Sequence, residues 1–64
     1  MPKYRGMTVN ERLYEAGLIG AFDTAVRRRR RADIIEVLLQ VELSPEQAAE
    51  TTDAILKDPR RYGY

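Results

Sequence analysis

The feature that most constrains this chain is a reversal in the direction that its apolar residues face. Two apolar groups lie on either side of a run of five arginines, and each has the spacing of one helix face. They are Phe22, Ala25 and Val26 before the run, and Ile34, Leu38 and Val41 after it. At about 100° per residue the second face points nearly opposite to the first, so one straight helix cannot bury both. We therefore expect a turn within or next to the arginines, although no glycine or proline marks it.

Two local signals delimit the first helix. Thr8 and Glu11 fit a capping box, in which each side chain accepts a hydrogen bond from the other residue's backbone amide. Gly17 suits the left-handed residue that follows a helix end in a Schellman motif. The pattern predicts a first helix over residues 9–16.

The rest of the chain predicts further helices. We expect one to begin near Gly20 and another to cover residues 34–43. Residues 44–47 (SPEQ) are the clearest start signal, with a capping serine, a proline at the first helical position and a glutamine that can complete a capping box. The helix that they open is expected to end at Asp58, because a residue before proline avoids helical geometry.

These elements predict an all-α fold, a compact bundle of three to four short helices. The third helix has the widest apolar arc, so we expect it to be central and to lie between the second and the fourth. Residues 1–7 are expected to form a flexible N-terminal lead-in. Residues 8–58 would form the helical domain, and residues 59–64 a C-terminal tail.

The composition removes most catalytic and metal-binding chemistry. The chain of 64 residues has no cysteine and no histidine, which excludes disulfides, thiolate zinc sites and the usual general base. Its one serine, Ser44, is accounted for by helix capping. We therefore expect that the protein is not an enzyme and holds no metal and no cofactor. No apolar stretch approaches the ~20 residues that span a bilayer, so we expect no membrane contact and a cytoplasmic location.

The arginine run concentrates a charge of +5 in a chain whose net charge is +1. Its members are Arg27, Arg28, Arg29, Arg30 and Arg31. Ion pairs of Arg27 with Asp23, and of Arg29 or Arg30 with Asp33, would make the run an ordinary surface. An acidic protein partner or the phosphates of a nucleic acid would make it a binding site. Consecutive helical residues point all around the axis and no aromatic residue interleaves them, which weighs against nucleic acid.

The C-terminal residues are a second candidate interaction surface. Arg60, Arg61, Tyr62 and Tyr64 belong to the two residue types most enriched at binding hot spots. The alternative, which we favour, is that Tyr62 folds back and covers the core.

Three segments resemble a family of short uncharacterised bacterial helical proteins. They are residues 8–14 (TVNERLY), 41–48 (VELSPEQA) and 58–64 (DPRRYGY). The resemblance covers most of the chain from Met7 onward. It implies a small helical bacterial protein, and because the family has no assigned activity it implies none.

Taken together, these features predict a non-enzymatic protein-protein interaction or regulatory module, acting as a homodimer or with another protein. The acidic face of the fourth helix is expected to meet the arginines within one molecule or across a symmetric dimer. The alternative is a nucleic-acid accessory protein that binds phosphates through residues 27–31 together with Arg60 and Arg61.

Overall fold

The computed structural model describes residues 4–64. In that range the chain forms four α-helices and one short 3₁₀ helix, without any strand. In chain order they are α1 Val9–Ala16, α2 Ile19–Arg27, α3 Arg31–Gln40, α4 Pro45–Lys57 and the C-terminal 3₁₀ helix Pro59–Tyr62. The predicted all-α bundle is confirmed.

Local capping explains where α1 and α4 begin. Both predicted capping boxes are present, one between Thr8 and Glu11 and one between Ser44 and Gln47. The predicted bounds of α1 are confirmed. The predicted range of α3, residues 34–43, is wrong at both ends. The helix begins at Arg31, the last arginine of the run, and ends at Gln40, so residues 41–43 belong to the following turn.

The core is centred on α3, as predicted. Ile34 and Leu38 are completely buried, and α3 packs against both α2 and α4. Val26 of α2 and Ala48 of α4 belong to the same buried cluster and are also completely inaccessible. The chain therefore buries both apolar faces by placing them on separate helices.

The three connections between α-helices close with the same backbone motif. In each, an amide donates to the carbonyl five residues earlier, as in a Schellman motif. The bonds are Leu18 to Leu13 (2.8 Å), Arg30 to Ala25 (3.1 Å) and Leu43 to Leu38 (3.3 Å). The residue before each donor is left-handed, with φ of 72° at Gly17, 57° at Arg29 and 68° at Glu42. Two of the three motifs thus place a residue with a side chain where glycine is usual.

The turn that the reversed apolar faces required lies inside the arginine run. Helix α2 ends at Arg27 and α3 begins at Arg31, so the left-handed Arg29 reverses the chain between them. Its guanidinium also donates to the Val26 carbonyl at 2.7 Å. The same carbonyl also accepts the Arg29 amide at 2.9 Å, so Arg29 caps the end of α2 with both its backbone and its side chain.

The packed domain extends further toward the N-terminus than expected. Tyr4 is only 5% exposed and belongs to the core cluster, and Met7 packs against that cluster. Arg12 joins this segment to the end of α3, since it donates to the carbonyls of Met7 and Val41, both at 3.1 Å. The boundary expected at Thr8 is therefore wrong for residues 4–7, while residues 1–3 of the expected lead-in lie outside the described residues.

Replacing the left-handed Glu42 should stabilise the protein. Because glycine adopts positive φ without a Cβ penalty, Glu42→Gly is expected to raise the free energy of unfolding by about 1 kcal/mol. In a domain of this size that corresponds to a rise of roughly 4–8 °C in Tm. Thermal unfolding followed by circular dichroism measures it.

Two controls separate backbone strain from side-chain contacts. Glu42→Ala removes the side chain and keeps the strain, so it should give no such gain. Gly17→Ala should lower Tm, because alanine is strained in the left-handed conformation of Gly17. An added Cβ would meet no atom within 4 Å, so steric contacts would not contribute to the loss. A Glu42→Gly variant no more stable than Glu42→Ala would contradict the assignment.

Candidate functional site

The C-terminal segment folds back onto the helices. Its 3₁₀ helix ends at a left-handed Gly63, and the Tyr64 amide donates to the Pro59 carbonyl at 2.9 Å. The Tyr64 ring packs against the core, and its hydroxyl donates to the Asp23 carboxylate on α2. The expectation that Tyr62 covers the core is wrong, since Tyr62 is 46% exposed and Tyr64 takes that place.

A groove opens between α1, the start of α2 and the C-terminal segment. Its volume is about 670 Å³. Its apolar walls come from all three parts of the chain: Met7, Tyr14, Ile19, Tyr62 and Tyr64. We name this feature the aromatic groove.

The aromatic groove collects three of the four large apolar side chains that are exposed in residues 4–64. Four large apolar side chains in residues 4–64 are exposed, and three of them line this groove: Tyr14 at 79%, Ile19 at 37% and Tyr62 at 46%. The fourth, Leu39 at 42%, lies on α3 away from it. Exposed apolar side chains that gather in one place and are rimmed by polar residues are a feature of interaction sites.

The charged residues that line the aromatic groove in the described part of the chain are all acidic. They are Glu11, Glu15 and Asp23, and no lysine or arginine of residues 4–64 joins them. Glu11 accepts the Thr8 amide at 2.9 Å, and its hydrogen bonds with Thr8 lower the pKa of Glu11. This carboxylate therefore stays ionised to lower pH than an ordinary glutamate.

Tyr64 keeps its proton over a wide pH range. Partial burial and its hydrogen bond to Asp23 both disfavour the phenolate, and they raise the pKa of Tyr64 to about 12, although Arg27 acts in the opposite direction. The hydroxyl thus remains a donor and anchors the C-terminal segment to α2.

The arginine run does not form the surface ion pairs expected of it. The expected pairs were Arg27 with Asp23, and Arg29 or Arg30 with Asp33; in residues 4–64 the only salt bridge joins Arg31 to Asp53. Instead, the Asp23 carboxylate receives the Tyr64 hydroxyl and the Arg29 guanidinium binds a backbone carbonyl.

The Arg31–Asp53 pair connects the arginine run to the acidic face of α4. Arg31 donates through two nitrogens, at 2.8 and 3.3 Å, and this contact lowers the pKa of Asp53. Both side chains are more than half exposed, so the pair is a modest contributor to stability. The expected meeting of basic and acidic surfaces thus occurs here within one molecule.

Two of the remaining arginines lie together in another groove. Arg28 and Arg30 line a second groove, between α2 and α3, which they share with Asp33 and Glu36. All five arginines of the run are exposed, but their partners and surroundings differ. Two of the five, Arg29 and Arg31, are thus engaged within the molecule, and Arg28 and Arg30 lie beside acidic residues.

The C-terminal candidates divide in a similar way. Tyr62 and Tyr64 line the aromatic groove and also a neighbouring groove of about 500 Å³, where Arg61 joins them. Arg60 is exposed and lines neither of these grooves. Sequence analysis missed Tyr14 and Ile19, whose signal was apolar character at positions outside the helical core pattern.

Metal sites and membrane spans are not found in residues 4–64. No group of three acidic side chains in that range is arranged to hold a metal ion. None of its helices is long and apolar enough to cross a bilayer.

The chain was compared with protein families, curated proteins and solved structures. No protein-family model, no curated protein and no solved structure matches this chain. The resemblance to short bacterial helical proteins therefore stays a prediction.

Removing the Tyr64 hydroxyl should destabilise the fold and leave the groove otherwise intact. Tyr64→Phe is expected to lower the free energy of unfolding by about 1 kcal/mol at neutral pH, because one partly exposed hydrogen bond to a carboxylate is lost. Chemical denaturation measures the loss. Tyr14→Phe is the control, and it should be neutral because Tyr14 is 79% exposed.

The same contact predicts a pH dependence. The folded pKa of about 12 lies above the ordinary value of 10.0, so this stabilisation is complete below pH 10 and is lost as pH rises toward 12. Absorbance titration of the tyrosines should show one late ionisation that Tyr64→Phe removes. An unchanged titration in that variant would contradict the assigned contact.

Proposed function

We propose that this protein is a non-enzymatic, cytoplasmic interaction module that contacts another protein through the aromatic groove. The observation that carries the proposal is the clustering of Tyr14, Ile19 and Tyr62, exposed apolar side chains that line one groove. Tyrosines supply large contact areas at low conformational cost, and they are enriched where interfaces concentrate their binding energy. The partner is a second copy of this chain or a different protein.

The fate of the arginines supports this proposal over the nucleic-acid alternative. Phosphate binding gains from several cations along one face. Here Arg29 binds the end of its own helix, Arg31 binds Asp53, and Arg28 and Arg30 share their groove with two acidic residues. The dispersed cations therefore favour a contact surface elsewhere on the molecule.

Site-specific photocrosslinking in the producing cells tests the proposal. The photoreactive residue benzoylphenylalanine is placed at position 14 or at position 62, and at position 39 as the matched control. Leu39 suits this role because its exposure of 42% is close to the 46% of Tyr62, while it lies outside the groove. We expect protein adducts from positions 14 and 62 and none from position 39.

The mass of the adduct identifies the partner class. An adduct of twice the 7.4 kDa chain would indicate a homodimer, and any other mass would indicate a different protein. Equal adducts from all three positions, or none from 14 and 62, would refute the aromatic groove as the contact surface.

Nucleic-acid binding is tested separately by fluorescence anisotropy with mixed-sequence DNA and RNA. We expect no binding at near-physiological salt, and any binding at low salt should be weak. The charge reversals Arg28→Glu and Arg30→Glu are the probes, since both side chains are exposed and neither makes a salt bridge in residues 4–64. Micromolar binding that falls steeply with salt and is lost in these variants would replace the proposal with the nucleic-acid alternative.

A further inference from the structure

We infer that the aromatic groove binds a basic, apolar segment of a partner protein, in which lysine or arginine lies between aliphatic residues. The inference rests on the proposed function, because it names the chemistry of the partner for the same groove. It is drawn from the juxtaposition of exposed aromatic rings and carboxylates in one lining.

The charge of the groove is opposite to that of the whole chain. The sequence has 11 basic and 10 acidic residues, yet among residues 4–64 the lining contains three carboxylates, Glu11, Glu15 and Asp23, and no basic residue. A partner with positive charge is favoured by such a surface, and one with negative charge is excluded by it.

The carboxylates in the groove are not neutralised by cations of the described chain. Glu11 accepts a backbone amide and Asp23 accepts a phenol, neither of which carries charge. The Glu15 side chain makes no hydrogen bond or ion pair in residues 4–64. Arg27, four residues after Asp23, acts electrostatically on Tyr64 but forms no salt bridge with Asp23. The negative charge is therefore available to an incoming cation.

The aromatic residues favour the same occupant. A lysine or arginine near the face of a tyrosine is attracted by the ring, typically by about 0.5–1 kcal/mol at exposed sites. The apolar stem of either side chain can also lie along Tyr14 and Ile19 while its charge reaches Glu15. Aliphatic residues on both sides of the cation would cover the remaining apolar wall.

A second copy of this chain is the competing occupant. Its exposed Arg28 and Arg30 have the required charge, but they lie on a turn away from the aromatic groove. Their insertion would be a head-to-tail contact, which builds rings or open chains of molecules rather than a symmetric dimer. A partner segment needs no such assembly, and the experiment below distinguishes the two.

The test uses three fluorescein-labelled synthetic peptides with identical leucine positions. The polar positions are all lysine in the first peptide, all glutamine in the second and all glutamate in the third. Fluorescence anisotropy measures the binding of each peptide to the full chain at low salt and at 0.15 M salt. We expect the lysine peptide to bind at least tenfold more tightly than the glutamine peptide, with no measurable binding of the glutamate peptide. The advantage of lysine should shrink as salt rises, because screening weakens exposed charge pairs.

Variants assign the effect to the groove. Glu15→Gln should weaken the binding of the lysine peptide severalfold and leave the binding of the glutamine peptide unchanged. Glu46→Gln is the matched control, an exposed acid at the start of α4 outside the groove, and it should change neither peptide. Tyr14→Ser should weaken the binding of both peptides. Because Tyr14 is 79% exposed, this substitution should leave the fold intact.

Failure of this inference is distinguishable from failure of the proposed function. Equal binding of the lysine and glutamine peptides, lost in Tyr14→Ser, would overturn the basic partner and leave the groove as a contact surface. Absence of all peptide binding would also overturn it, while crosslinking from position 14 would still decide the proposed function. Self-association in sedimentation that disappears with Arg28→Glu would make a second copy the occupant.

Discussion

The structure depends on how the ends of its short helices are satisfied. Helices of 8 to 13 residues leave a large share of their carbonyls without helical partners, and every connection must provide donors within a few residues. The chain solves this with one repeated motif after α1, α2 and α3, and again at Gly63. Arg12 adds two donors from a distance, one of them to Val41 at the end of α3. Compact turns then allow α3 to lie between its two neighbours.

Much of the fold was predictable because its signals are local. The capping boxes at Thr8 and Ser44 and the glycine after α1 each depend on neighbouring residues, and all three were identified correctly. The reversed apolar faces predicted the α2–α3 turn within or next to the arginine run, since that argument needs only helical periodicity. It did not identify Arg29 as the left-handed residue, and Glu42 gave no warning either, because nothing in either side chain favours that conformation.

The candidate site was less predictable, because it exists only through tertiary contact. The density of charge made residues 27–31 the main candidate. However, α2 ends and α3 begins inside this run, so its side chains have different surroundings. The aromatic groove combines residues between Met7 and Asp23 with Tyr62 and Tyr64, which are distant in sequence, and only packing brings Tyr14 and Tyr62 into one lining. The exchange of roles between Tyr62 and Tyr64 has the same origin, since Asp23 on α2 selects the tyrosine that is anchored.

The closed turns have a consequence for the energetics of recognition. Both walls of the aromatic groove end in hydrogen-bonded, left-handed glycines, Gly17 after α1 and Gly63 after the 3₁₀ helix, and Tyr64 ties the second wall to α2. A surface preorganised in this way loses little conformational entropy when it is occupied. The entropic penalty of association would then fall almost wholly on the partner, so a segment already helical when free would bind more tightly than a flexible one of the same sequence.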